Sequence, residues 1–199
     1  MDGTLVDSSA AVRRIWGEFA GRFGLDGDHV YTSSHGVRMI ETIRTHAPHA
    51  DAEAVERELA AIELLDLAGT VALPGAAELL AALHGSRVAL VTSASRPLAV
   101  ARMAAAGLPL PAVVVSAEDV PVGKPDPAPY LLAADRLGVD PADCLVFEDA
   151  VAGMRSGLAA GARVVLIGDA VPDDAALPRI PDYAGVSVLT AGDVVELEL

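Results

Sequence analysis

Between residues 87 and 190 the chain alternates short apolar, mostly β-branched runs with Ala- and Leu-rich stretches of helical period, and few architectures accept that alternation. The runs are RVALVT (87–92), AVVVS (112–116), CLVFE (144–148), RVVLI (163–167) and, more weakly, VSVLT (186–190). Strands that are apolar on both faces belong in a parallel sheet with helices on either side. Helical patterns over 98–106, 128–137 and 150–160 close on Gly107, Gly138 and Gly161. A glycine there takes the left-handed conformation that ends a helix without a Cβ clash. The expectation is an α/β fold with a doubly wound, Rossmann-like parallel sheet.

Residues 8–84 differ in character, with four helical patterns and no clear strand. Ser8 or Ser9 can cap the first, in which Val12, Ile15, Trp16, Phe19 and Phe23 fall on one stripe at spacings of three and four. Further patterns cover roughly 36–47, 51–68 and 75–83, and the chain returns to the main body near Leu73, Pro74 and Gly75. This predicts a helical domain over 8–74 inserted into an α/β core formed by 1–7 and 75–199.

Composition narrows the partners. The 199 residues hold 28 acidic against 14 basic side chains, a formal net charge of -14. Nucleic acids and anionic membranes are held chiefly by Lys and Arg, so neither is an expected partner. A chain of this length buries about 70% of its unfolded surface and needs no staple. The single cysteine, Cys144, rules out a disulfide framework and reads as a small core residue. No apolar run is long enough to span a bilayer, and MDGTLVDSSA lacks the basic and apolar regions of a secretory leader. The reading is a cytoplasmic protein, monomeric by default.

Four clusters could carry chemistry, and in a doubly wound fold the carboxyl ends of strands are where ligands bind. Asp2-Gly3-Thr4 suits a tight turn that brings backbone close to a phosphate or ion, although Asp-Gly is also a common hairpin turn. Thr92-Ser93-Ala94-Ser95 follows a strand, where hydroxyls and free N–H groups either cradle an anion or cap a helix. Lys124 lies between Gly123 and Pro125, a positive charge on a constrained loop rather than on a solvated helix face. Glu148 and Asp149 close an apolar strand, a costly arrangement unless they meet a cation. Hard oxygen ligands of this kind suit Mg²⁺. By contrast, His46, His49 and Asp51 lack a fourth metal ligand and read as solvated. No Gly-x-Ser-x-Gly elbow, Walker loop or His-Glu-x-x-His is present.

In this order and spacing the segments DGTLVDS (2–8), VTSAS (91–95), GKPDPAPY (123–130) and FEDAVAGMRSGLAAG (147–161) resemble motifs I to IV of the haloacid dehalogenase superfamily, in its phosphatase and phosphomutase branch with a helical cap. Ser34-His35-Gly36-Val37-Arg38 is similar to a cap segment of its sugar-phosphate and glycerol-phosphate phosphatases. The resemblance implies a nucleophilic aspartate that forms an aspartyl-phosphate. A second aspartate, two residues later, protonates the leaving alcohol and then activates water. Carried over, Asp2 is the acid/base and a metal ligand through its carbonyl, and Lys124 is the charge-neutralising cation. Thr92 or Ser93 holds a phosphate oxygen, since motif II aligns in two registers one residue apart. Asp149 is the metal carboxylate with Glu148 beside it near metal or substrate, and His35 and Arg38 are the cap residues expected to reach the substrate.

One departure stands out. The motif reads Asp-x-Asp-Gly-Thr, and its first Asp would precede Met1, as would the apolar central strand leading to it. A sheet without that strand would lose much of its core, a defect comparable to the whole stability of a domain. The expected explanation is a start placed too late, on the methionine that often occupies the middle of the motif. The implied activity is a Mg²⁺-dependent phosphatase of a small sugar or polyol phosphate. The alternatives are a β-phosphoglucomutase-like phosphoryl transferase and a catalytically inactive module that binds a ligand or a protein partner.

Overall fold

The computed structural model describes residues 1–85, 87–172, 176–191 and 194–198. Four helices come first: α1 (Ser9–Phe23), α2 (Gly27–Ser33), α3 (Met39–His46) and α4 (Ala52–Leu65). The stripe anticipated on α1 is the reason they pack. Ile15, Trp16, Phe19 and Ala20 are buried against Val30 of α2, Ile43 of α3, and Val55 and Leu59 of α4. Trp16 meets Phe19 edge to face at 5.6 Å. Because Phe19 is fully buried, Phe19→Ala is expected to cost about 3–5 kcal/mol in urea unfolding; a loss below about 1 kcal/mol would show that these helices do not share a packed core.

Helix α2 was not anticipated. It is seven residues long with Val30 alone buried, too short to show a period. Its start is set locally, by the Asp26 carboxylate accepting from the N–H groups of Asp28 and His29. A second difference is β1 (Val6–Asp7), which pairs antiparallel with β2 (Val71–Ala72). The two connections between the helices and the rest of the chain thus run side by side, and two-residue strands leave no pattern to read.

The remainder alternates as expected: α5 (Ala76–Ala82), β3 (Ala89–Val91), α6 (Arg96–Ala105), β4 (Val113–Val115), α7 (Ala128–Leu137), β5 (Leu145–Glu148), α8 (Val151–Ala159), β6 (Arg163–Ile167) and β7 (Arg179–Ile180). Strand β3 pairs parallel with β4, and β5, β6 and β7 form a second parallel ladder. The fold is α/β with parallel strands, as the alternation predicted. Among the described residues no hydrogen-bonded strand joins the two ladders. They meet instead through side chains, with Leu90 of β3, Val114 of β4 and Ile167 of β6 in one cluster that also holds Met1, Val6 and Met103.

The run at 186–190 behaves differently from the other four. It becomes β8 (Ser187–Ala191), which pairs antiparallel with β9 (Val194–Glu198) rather than joining a parallel ladder. Leu189 is 63% exposed, which fits a hairpin with one wet face.

Candidate active site

A cavity of about 360 Å³ lies between the four-helix block and the carboxyl ends of β3, β5 and β6. Asp2, Thr92, Ser93, Lys124, Glu148 and Asp149 form one wall, and Trp16, Tyr31, His35 and Met39 face them from the helices. Residues spread over nearly 150 positions therefore meet because parallel strands deliver their carboxyl ends to one edge.

Lys124 and Glu148 are both buried, and the Lys124 ammonium donates to a Glu148 carboxylate oxygen that also accepts the Tyr130 hydroxyl from α7. Burial by itself would push the Glu148 carboxyl up; Lys124 outweighs it, and the carboxyl ends below its ordinary value. The same burial, with Glu148 beside it, holds the Tyr130 phenol protonated far above its ordinary range. Gly153 at the start of α8 makes room for this group, since a Cβ there would lie 2.0 Å from Glu148 Cδ.

Asp149 is in the opposite condition. Thr4 Oγ1 donates to its Oδ1 at 2.8 Å, yet burial and then the neighbouring Glu148 raise its carboxyl above the usual value. The turn that approaches it needs glycine twice over. Gly3 sits at φ 67, and a Cβ on it would fall 2.0 Å from Asp149 Oδ2.

Asp2 Oδ1 accepts the Ser8 hydroxyl at 2.6 Å and lies 3.1 Å from Arg102 Nη1. The other arm of that guanidinium, Nη2, donates to Glu63 Oε1 of α4 at 2.8 Å. Neither Arg102 nor Glu63 was singled out from the sequence. The available signal was phase: Glu63 continues the buried positions Val55 and Leu59 of α4, and Arg102 falls among buried Leu98, Ala99 and Met103 of α6. A charged residue at an apolar phase needs a partner.

The two hydroxyls at the end of β3 are used differently. Thr92 Oγ1 accepts from the Ala94 N–H at 3.1 Å, a local turn bond. Ser93 Oγ crosses to the helical block and donates to the Gly36 carbonyl at 2.8 Å. His35 lines the cavity, its ring edge to face with Tyr31 at 4.6 Å. Arg38, also expected to reach the substrate, is not among the residues lining the cavity. Its guanidinium is committed to Glu41 and to the carbonyls of Val120 and Pro121, both at 3.3 Å, and its side chain packs on Gly123. The short spacing to those carbonyls of the α/β part draws it away from the open space.

The donor set can be tested against a hard divalent cation. Among the described residues no group of three or more His, Cys, Asp or Glu is gathered for a metal, which disfavours an all-protein cage such as a structural zinc site. Mg²⁺ instead needs one or two carboxylates and keeps its waters. Asp149 can meet that requirement: it is partly open and accepts one side-chain hydrogen bond, from Thr4. Glu148 does not, since Lys124 and Tyr130 already occupy it.

Known proteins resemble this chain in sequence and in fold. A family model described as a haloacid dehalogenase-like hydrolase matches residues 1–161. The chain belongs to that family. Within it, the chain is 46% identical over 172 residues to hexitol phosphatase A of Escherichia coli, covering 84% of this chain and 80% of that protein. It is 34% identical to glycerol-1-phosphate phosphohydrolase 2 of Saccharomyces cerevisiae, covering 83% of this chain and 71% of that one. In three dimensions it resembles CbbY from Rhodobacter sphaeroides in complex with phosphate, with a TM-score of 0.80 over 93% of this chain and 92% of that one. At 24% identity this last likeness shows the fold. The family membership makes the protein a hydrolase, in agreement with the enzyme expected from its motifs.

Proposed function

We propose that the protein is a phosphatase that removes phosphate from a small sugar or polyol phosphate, with residues 8–74 acting as a cap over a core of 1–7 and 75–199. The observation that carries this reading is the meeting of Asp2, Ser93, Lys124 and Asp149 at one cavity under the helical block. The names of two relatives, a hexitol phosphatase and a glycerol-1-phosphate phosphohydrolase, support the substrate class.

In this proposal the phosphoryl group sits between Ser93, Lys124 and Asp149, and the leaving alcohol points toward Asp2 and the helices. Asp149, with the Asp2 carbonyl, would hold Mg²⁺, which supplies charge stabilisation to the transferring phosphoryl group. Lys124 adds a fixed positive charge, positioned by Glu148 and Tyr130. Asp2 gives its proton to the departing alkoxide and then takes one from the attacking water. In the aspartyl-phosphate route the nucleophile would be the motif's first aspartate, two positions ahead of Asp2.

The test is direct. A chain extended upstream in its own reading frame, through an apolar strand ending in that aspartate, is assayed with Mg²⁺ against hexitol and glycerol phosphates. Release of inorganic phosphate is expected. Isomerised sugar phosphate without phosphate release would favour a phosphomutase, and a folded extended protein that binds phosphate esters without turnover would favour a binding module.

A further inference from the structure

The geometry points to Glu63 as the residue that selects the leaving group, admitting a neutral hydroxylated alcohol and rejecting one that carries a carboxylate. This rests on the phosphatase reading and deepens it. Glu63 is 8% exposed and lines the cavity from α4, and its partner Arg102, 39 positions away, is 2% exposed on α6. Arg102 Nη2 meets Oε1 of Glu63, while Oε2 accepts no hydrogen bond among the described residues and is not sealed from solvent. Arg102 Nε, by contrast, is buried without a partner. A carboxylate on a cavity wall with one unbonded, solvent-reachable oxygen can accept the O–H of a bound alcohol.

Asp2 carries the proton for the leaving oxygen, so Glu63 and Arg102 offset one another in net charge and the selectivity rests on the Glu63 oxygen that Arg102 leaves free. A carboxylate on the leaving group would meet that oxygen as a like charge, whereas a hydroxyl would donate to it. The position fits the substrate. Asp2 lies at the leaving oxygen in the proposed mechanism, and Glu63 stands one guanidinium beyond it, where substituents on the next carbons of the alcohol fall. The apolar faces of Trp16 and Met39 line the rest of that end.

Binding measures this without turnover. Calorimetry with Mg²⁺ on the upstream-extended chain, its nucleophilic aspartate replaced by asparagine so that nothing turns over, compares glycerol 1-phosphate, propyl phosphate, 2-phosphoglycolate and inorganic phosphate. Glycerol 1-phosphate is expected to bind at least about tenfold tighter than phosphoglycolate. In Glu63→Gln the two should move in opposite directions, glycerol phosphate weaker and phosphoglycolate tighter, narrowing their ratio by at least about tenfold. A purely structural role would shift both in parallel, and that result, or equal binding of the two by the chain that keeps Glu63, overturns the assignment. Glu63→Asp keeps the charge and serves where the glutamine variant does not fold. It should still exclude phosphoglycolate but lose the preference for glycerol phosphate over propyl phosphate; a retained preference also overturns it. If not even inorganic phosphate binds, the phosphatase reading itself fails and this assignment with it, whereas esters bound without selectivity sink the role of Glu63 alone.

Discussion

Lys124→Met is expected to destabilise the protein by about 3–5 kcal/mol, because it leaves the buried Glu148 carboxylate without its cation. The variant side chain fills nearly the same volume, so packing contributes little to the loss. The Tyr130 hydroxyl still donates to Glu148, but a neutral donor replaces only part of a full charge. Two unfolding curves check the cause. Adding Glu148→Gln to Lys124→Met should recover a large part of the lost stability, since the stranded charge is then gone. If the double variant is as unstable as the single one, the buried pair does not govern stability here. In the extended enzyme either variant is expected to abolish most phosphate release, as the phosphoryl group loses its fixed counter-charge.

Asp149→Asn separates function from stability in the other direction. Asparagine can still accept the Thr4 hydroxyl, and it removes the repulsion from Glu148 that helps raise the Asp149 carboxyl. The unfolding midpoint is therefore expected to stay level or rise. Turnover of the extended enzyme should fall by about 100-fold or more, because a metal ion contributes several kcal/mol to such a reaction. The residual rate should no longer depend on Mg²⁺, and calorimetric Mg²⁺ binding should disappear. Unchanged kinetics would refute the metal assignment. Gly3→Ala offers an independent check, since a Cβ 2.0 Å from Asp149 Oδ2 must displace that carboxylate without altering its charge.

These two effects differ in sign for stability although the residues share one cavity. Glu148 is matched by Lys124 and Tyr130, so the folded state favours its charge. At Asp149 burial and the neighbouring Glu148 outweigh Thr4 and the nearby positive charges, so the folded state tolerates its charge at a cost. In the proposed mechanism Asp149 rather than Glu148 would therefore be the Mg²⁺ ligand of the adjacent pair.

Much of this was legible in the chain itself. Each apolar run marked a strand: four lie in parallel ladders and the fifth in the hairpin at 187–198. Gly107, Gly138 and Gly161, expected to end helices, all adopt the left-handed conformation. The stripe from Val12 to Phe23 found its core. These features depend on residues a few positions apart, where periodicity and the absence of a Cβ act locally. Thr92, Ser93, Glu148 and Asp149 also stood out as candidates, because polar groups at strand ends contrast with the apolar runs before them; Lys124 stood out by its place between Gly123 and Pro125, and Asp2 by the Asp-Gly-Thr turn.

Other features arose only when distant segments packed. The turning of Arg38 onto the Val120 and Pro121 carbonyls, the division of labour between Glu148 and Asp149, and the Asp2–Arg102–Glu63 bridge each join positions that no local pattern relates. A linear pattern records which side chains are apolar or charged. Which oxygen of a carboxylate is satisfied and which is left open depends on the donors within about 3 Å, and the packing of distant turns, loops and helices decides those neighbours.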